Sequence, residues 1–328
     1  MATVYHRDQP GAPALTYSTD ANNIAHFTSL KTVLKACLVL GYGSQPAAGW
    51  ELISEGSDYI VLRNGSHSGF VCLTRIGGGA VRVFLAETYE GMSGNIMLGA
   101  GLKSGAANNF SLPQLFGIYA IFTHSTSSSW AVLADSKTFV ISLICNSNGR
   151  DEVLAGYNAA NRANALYVGE TSEGHFISVG GDASAAGSFG GGGTYFGCRW
   201  GHTSLKNPAT GLLVDVGSLV MYTPTLHRAN EVAVANDRVH PLPTVFLVPL
   251  DWFGGGVYGG TLRGLAQVPA LVNTYSSSYV AQSLGRSVPL TVRSAFDPID
   301  LSDGWAYLVR AASYDLCSFL LTDNPEFW

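Results

Sequence analysis

WELISEGSDYIVLRNGSHSGFVCLTRIGGGAVRVFLAET, residues 50–88, decides the fold class. Four short segments within it, Trp50 to Ser54, Tyr59 to Arg63, Phe70 to Ile76 and Val81 to Thr88, are rich in β-branched and aromatic residues. Such residues suit a pleated, half-buried surface. Gly, Asn, Asp and Ser cluster between the segments and supply turn chemistry. The stretch therefore reads as a meander of short antiparallel strands.

Immediately upstream the period changes. Ile24, Phe27, Leu30, Val33, Leu34, Cys37 and Leu38 recur at spacings of three and four. That spacing predicts one amphipathic helix from Asn22 to about Leu40, stopped by Gly41 and Gly43. Before it, residues 1–20 hold Pro10, Gly11 and Pro13 and no sustained apolar period. They read as an extended N-terminal arm that orders only against something else.

Downstream, further strand candidates are Leu115 to Phe122, Trp130 to Ala134, Thr138 to Cys145, Ala165 to Gly169 and Leu213 to Tyr222. Val245 to Leu250, Trp305 to Val309 and Cys317 to Leu321 complete the set. No second long helical pattern follows. The expected fold is mainly β, an antiparallel sandwich or barrel-like sheets with one N-terminal amphipathic helix and the arm. We read residues 21–328 as one β-rich domain, with a subdivision near residue 110 as the alternative.

Three segments share one design. GWELISEGSDYIVLRN (49–64), SWAVLADSKTFVISLI (129–144) and GWAYLVRAASYDLCSFLL (304–321) each read as a Trp-led strand, a polar turn and a second apolar strand. They are either three related hairpins or three cores anchored by a large indole. Residues 180–197 carry too much glycine to hold a strand, and residues 224–243 read as a short helix or a long excursion.

Composition restricts the function. Of 328 residues, 47% are apolar and only 12% are charged, about half the usual share. A surface so poor in charge does little to keep copies apart, which points to a subunit of an assembly. The net charge is −5 and the 18 Lys and Arg are scattered, which excludes bulk phosphate recognition. No 18-residue apolar run and no leader-like h-region is present, so neither a membrane span nor a signal peptide is expected. Five cysteines, Cys37, Cys72, Cys145, Cys198 and Cys317, lie far apart and read as reduced core residues.

Reactive constellations are sparse. There is no G-x-S-x-G, H-E-x-x-H or P-loop, and Gly190 to Gly193 lacks the following Lys and Ser or Thr of a phosphate cradle. The eight histidines are single, with His227, Asp237 and His240 the nearest approach to a ligand set. Of the close carboxylates, Glu87 and Glu90 would face opposite sides of a strand, and Asp297 with Asp300 reads as a turn. No catalytic residue, metal or cofactor is expected. Aromatic residues on loops remain as binding candidates: Trp252, Phe253 and Tyr258 around Gly254 to Gly256, and Tyr275 and Tyr279 around a serine run.

Five islands carry a family resemblance. LKACLVLGYGSQPAAGWELI (34–53) is similar to a run with lysine, Gly-Tyr-Gly and Pro-Ala-Ala-Gly-Trp in virion structural, tail-associated proteins of tailed bacteriophages. In the same order, SSWAVLADSKTFVISL (128–143) resembles that family's Trp-led strand with an Asp turn. YVGETSEGHFISVGGDA (167–183) resembles its glycine-rich segment, and GGTLRGLAQVP (259–269) its Arg-Gly element. LLTDNPEFW (320–328) resembles its terminal strand. Two departures stand out: Ala134-Asp135-Ser136 has a single Asp where the family has Gly-Asp-Asp, and residues 224–243 have no counterpart.

The resemblance implies a non-enzymatic structural component of a phage particle, in the tail, tail tip or neck region. Its partners would be other copies of itself and other virion proteins, and it would be assembled in the host cytoplasm. A module that attaches to a host-surface glycan or protein is the alternative, followed by a polysaccharide-degrading tail enzyme.

Overall fold

The computed structural model describes residues 1–16, 24–76, 80–104, 115–117, 129–146, 161–179, 202–207, 209–212, 219–222, 248–254, 257–267, 298, 303–310 and 319–328. The chain is mainly β, and the described residues place antiparallel strands in three large open sheets.

Strand β1 (Thr3–His6) precedes helix α1 (Ile24–Lys35), which widens into a π-helical turn at Ala36–Leu40. Gly41, at φ 78°, then ends the helix in a conformation that other residues rarely adopt. Six of the seven stripe residues read from the sequence form the buried face, Phe27, Leu30, Val33, Leu34, Cys37 and Leu38 having no exposed surface, whereas Ile24, in the first turn, is exposed.

Next come β2 (Glu51–Glu55), β3 (Tyr59–Arg63), β4 (Phe70–Arg75) and β5 (Ala80–Ala86), the expected meander. A small hairpin, β6 (Gly91–Ser93) with β7 (Ile96–Leu98), follows, and β8 (Leu115–Gly117) then pairs with β5 to complete a five-stranded sheet. The second sheet contains β9 (Ser129–Ala134), β10 (Thr138–Asn146), β11 (Asn161–Glu170), β12 (Phe176–Val179) and β13 (His202–Ser204). Strand β1 is its edge, beside β9, giving the order β1-β9-β10-β11-β12-β13. The third sheet is β14 (Leu219–Tyr222), β15 (Val248–Gly254), β16 (Val257–Gln267), β18 (Phe319–Thr322) and β17 (Tyr307–Arg310) in that spatial order.

Side-chain alternation explains the stacking. On β9, Trp130, Val132 and Ala134 share a core with α1 and with Ile60, Leu62, Val71 and Val83 of the first sheet. Their neighbours Ala131 and Leu133 point the other way, into a core with Leu262, Leu265, Leu308 and Leu321 of the third sheet. The second sheet is thus the central layer, covered on both faces. Strands covered on both faces read as continuous apolar runs, which is why SWAVLA and TFVISL show no polar alternation. On the outer face of the first sheet, Val61, Cys72 and Phe84 pack with Met97 of the β6–β7 hairpin.

The three Trp-led segments are hairpin pairs, β2–β3, β9–β10 and β17–β18, one in each large sheet. Cys37 and Cys72 are free and buried, as their apolar settings indicate; burial pushes the Cys72 thiol up to about 12 and that of Cys37 well above its usual value.

The structure departs from the sequence reading at several elements, including β6, β7, β12 and β13, which no strand candidate covered. The N-terminal arm is ordered against its own chain: Tyr5 is fully buried and its hydroxyl donates to the Pro46 carbonyl at 2.8 Å. A strand of four residues is too short for its period to stand out ahead of Pro10 and Pro13. Strand β16 runs through GGTLRGL, where glycines weaken any strand signal. Trp252, Phe253 and Tyr258 are consequently strand positions of β15 and β16, not loop residues. Of the Leu115 to Phe122 and Leu213 to Tyr222 candidates, Leu115–Gly117 and Leu219–Tyr222 are strands and the remaining positions lie outside the described residues.

His26, in the first turn of α1, has no exposed surface, and burial lowers its pKa from 6.5 to about 4. Between those values the unfolded chain binds a proton here that the folded chain does not. His26 therefore costs no stability above pH 6.5 and destabilises the fold progressively as the pH falls toward 4, by on the order of 3 kcal/mol in full. Urea unfolding between pH 7 and 4.5 should show this loss, with a shallower slope for His26→Leu. Identical slopes in the two proteins would show that the ring titrates normally.

Candidate functional site

Of the aromatic residues singled out above, Tyr275 and Tyr279 lie outside the described residues. Trp252 and Phe253 occupy ladder positions of β15, opposite Met221 and Val220 of β14, with a register shift between them on the β16 side. Phe253 faces Tyr258 across the β15–β16 hairpin.

Tyr258 is 45% exposed, yet its hydroxyl is held within the chain. It donates to Glu173 Oε1 at 2.9 Å and lies 3.0 Å from Thr261 Oγ1. Glu173 also accepts from the Thr261 N–H at 2.8 Å, and Thr261 Oγ1 donates to Asp251 at 2.8 Å. Desolvation, with the adjoining carboxylates, raises the Tyr258 pKa. The phenol thus fastens the β11–β12 turn to β16.

The dense polar arrangement lies elsewhere, on the turn between β9 and β10. Asp135 accepts from the backbone N–H groups of Lys137 and Thr138 at 2.8 and 2.9 Å, so its carboxylate shapes the turn. The same carboxylate receives both terminal nitrogens of Arg263 on β16, at 3.2 and 2.6 Å. Planar guanidinium and planar carboxylate thus meet in a two-pronged contact. Arg263 is only 8% exposed. Its Nη1 also donates to Thr138 Oγ1 at 3.1 Å, and its plane lies 5.1 Å from the Trp328 ring.

The network continues on two sides. Thr138 Oγ1 and Tyr167 OH both donate to the Glu170 carbonyl, at 2.7 and 2.6 Å. Burial raises the Tyr167 pKa, keeping the phenol a donor. Toward the first sheet, Trp50 Nε1 donates to the Asp135 carbonyl at 2.9 Å, and the Gly65 N–H to the Ser136 carbonyl at 2.6 Å. Buried Asn64 donates to the Lys137 carbonyl at 3.3 Å, and Ser66 hydrogen-bonds the Glu170 carboxylate. Lys137 Nζ lies 3.5 Å from the other oxygen of that carboxylate.

Two glycines are required by this crowding. Gly169, at φ +134°, lies against the Thr138 backbone, and Gly264, at φ +73°, lies under the Trp328 indole. A methyl at Gly264 would sit 2.8 Å from Leu133 Cδ2. Small residues here admit the close approach of neighbouring layers.

This junction joins all three sheets, and the sequence reading missed it. Asp135 and Arg263 are 128 positions apart, so no local motif pairs them. The available signal was an arginine between apolar residues, TLRGLA, in a chain with few charges. All five islands quoted for their family resemblance contribute: Trp50, Asp135, Tyr167, Arg263 and Trp328 come one from each.

What the arrangement does chemically is hold. Each polar group in it is engaged by a partner within the chain, and it orders the sheets relative to one another. The remaining carboxylate pair of interest is divided: Glu87 binds Lys206 at 2.6 Å, while Glu90 accepts from Thr88. His227, Asp237, His240, Asp297 and Asp300 lie outside the described residues. Among the described residues, no group of three or more His, Cys, Asp or Glu is placed to hold a metal ion.

Removing one member of a buried ion pair strands the other. Arg263→Met should lower the unfolding free energy by about 3–5 kcal/mol in urea titrations, and adding Asp135→Asn should recover part of it, since the neutral amide needs no counter-charge. An Arg263→Met protein within about 1 kcal/mol of the parent would show that the pair does not hold the layers together.

No family model, no curated protein and no solved structure matches the chain.

Proposed function

We propose that this chain is a non-enzymatic structural component of a tailed-phage particle, in its tail, tail tip or neck region. It works through contacts with other copies of itself and with other virion proteins, after synthesis in the host cytoplasm. The observation that carries this reading is the scarcity of charge, 12% of residues, together with where the described charges lie.

Lys31 and Lys35 of α1 both meet Glu55 of β2, and Arg63 meets Glu51 on the adjacent strand. Arg75 meets Asp58, Arg263 meets Asp135, and Lys206 meets Glu87. These pairs tie element to element within one chain. Neutralised in place, they contribute little long-range repulsion between copies. Three stacked, hydrogen-bonded layers supply the stiffness that a particle component needs. The resemblance to tail-associated proteins supports the same reading.

Size-exclusion chromatography with light scattering should give a species larger than 328 residues can account for, and mass spectrometry of purified particles should detect the chain. A lone monomer, absent from particles, would overturn the reading.

A further inference from the structure

Among the described residues, strand β1 forms the outer edge of the central sheet and pairs with β9 on one side only. An edge strand presents a row of backbone N–H and C=O groups to any extended segment that comes alongside. The Arg7 N–H donates to the Trp130 carbonyl at 3.3 Å, in line with Thr3 and Tyr5 bonding toward β9. By the alternation of an antiparallel ladder, Val4 and His6 turn their backbone groups outward.

One side chain meets those groups. Gln9 Nε2 donates to the Val4 carbonyl at 3.0 Å, and Gln9 Oε1 accepts from the His6 N–H at 3.0 Å. The Gln9 backbone N–H closes a turn onto the His6 carbonyl at 3.1 Å. A primary amide carries the same donor and acceptor as a peptide group, so it reproduces the pattern a further strand would make. Tyr42 fixes the orientation, because its hydroxyl donates to Gln9 Oε1 at 2.5 Å. The Tyr42 ring is itself set between Tyr5 and Trp130, at 5.9 and 6.3 Å.

We propose that Gln9 is an edge cap that keeps the central sheet from adding a strand of a second copy of this chain. The excluded partner is β1 of that copy. TVYH is β-branched and aromatic, has no proline, aspartate, glutamate or lysine, and would pair antiparallel with itself about a two-fold axis. With the cap in place, contacts between copies run through other surfaces. The inference does not depend on the chain belonging to a virion.

The test is Gln9→Ala, checked for native-like circular dichroism and cooperative melting. Light scattering over a concentration series should show species larger than the parent's, and a labelled peptide ATVYHR (residues 2–7) should bind the variant and not the parent. A folded variant with the parent's size and no peptide binding overturns the proposal, as does a parent that binds the peptide equally well. If Gln9→Ala does not fold, hydrogen exchange at the His6 amide of the parent decides. Protection of about tenfold or more over an open chain supports the cap, and unprotected exchange overturns it.

Discussion

The Asp135 carboxylate is bonded to its own turn and to Arg263, while the carbonyls of Asp135, Ser136 and Lys137 are bonded to Trp50, Gly65 and Asn64. Three sheets therefore meet on three residues. Apolar stacking alone would let layers slide, because hydrophobic burial is not directional. Hydrogen bonds with narrow distance and angle limits define one relative position. In this molecule the two kinds of interaction divide the work: the two cores hold the layers together, and the junction at Asp135 sets where they sit.

That division bears on the proposed assembly role. Ion pairs exposed to solvent contribute little stability, so the pairs between Lys35 and Glu55 or Lys206 and Glu87 are weak as braces. Their effect on the outside of the molecule is larger. A chain with few charges, several of which are paired within it, offers neighbours a surface with low desolvation cost. Closing the β1 edge with the Gln9 amide complements this, since close approach of neutral surfaces without edge control invites unspecific sheet extension.

Local signals made much of the fold legible. The helix was readable because its stripe repeats over four turns, and Tyr59–Arg63 was readable to the residue because turn chemistry brackets it. Strand β16 was not, because its glycines serve the approach of Trp328 and the β11–β12 turn instead of strand propensity. The N-terminal strand was not, because its partner β9 lies more than 120 positions away. Of the aromatic residues proposed for binding, Tyr258 is a fastening between sheets, which sequence pattern could not distinguish from an exposed recognition ring.

Composition and periodicity by themselves determined the class: short strands, an N-terminal helix, buried free thiols at Cys37 and Cys72 and a chain poor in charge. These depend on residue type and on neighbours within a few positions. Only the tertiary structure decided that three Trp-led hairpins stack as three layers, that the middle layer is covered on both faces, and that Asp135 meets Arg263. The physical reason is range: strand and helix periods are local properties of the backbone, whereas a two-pronged ion pair between residues 128 positions apart exists only once packing has brought two sheets face to face.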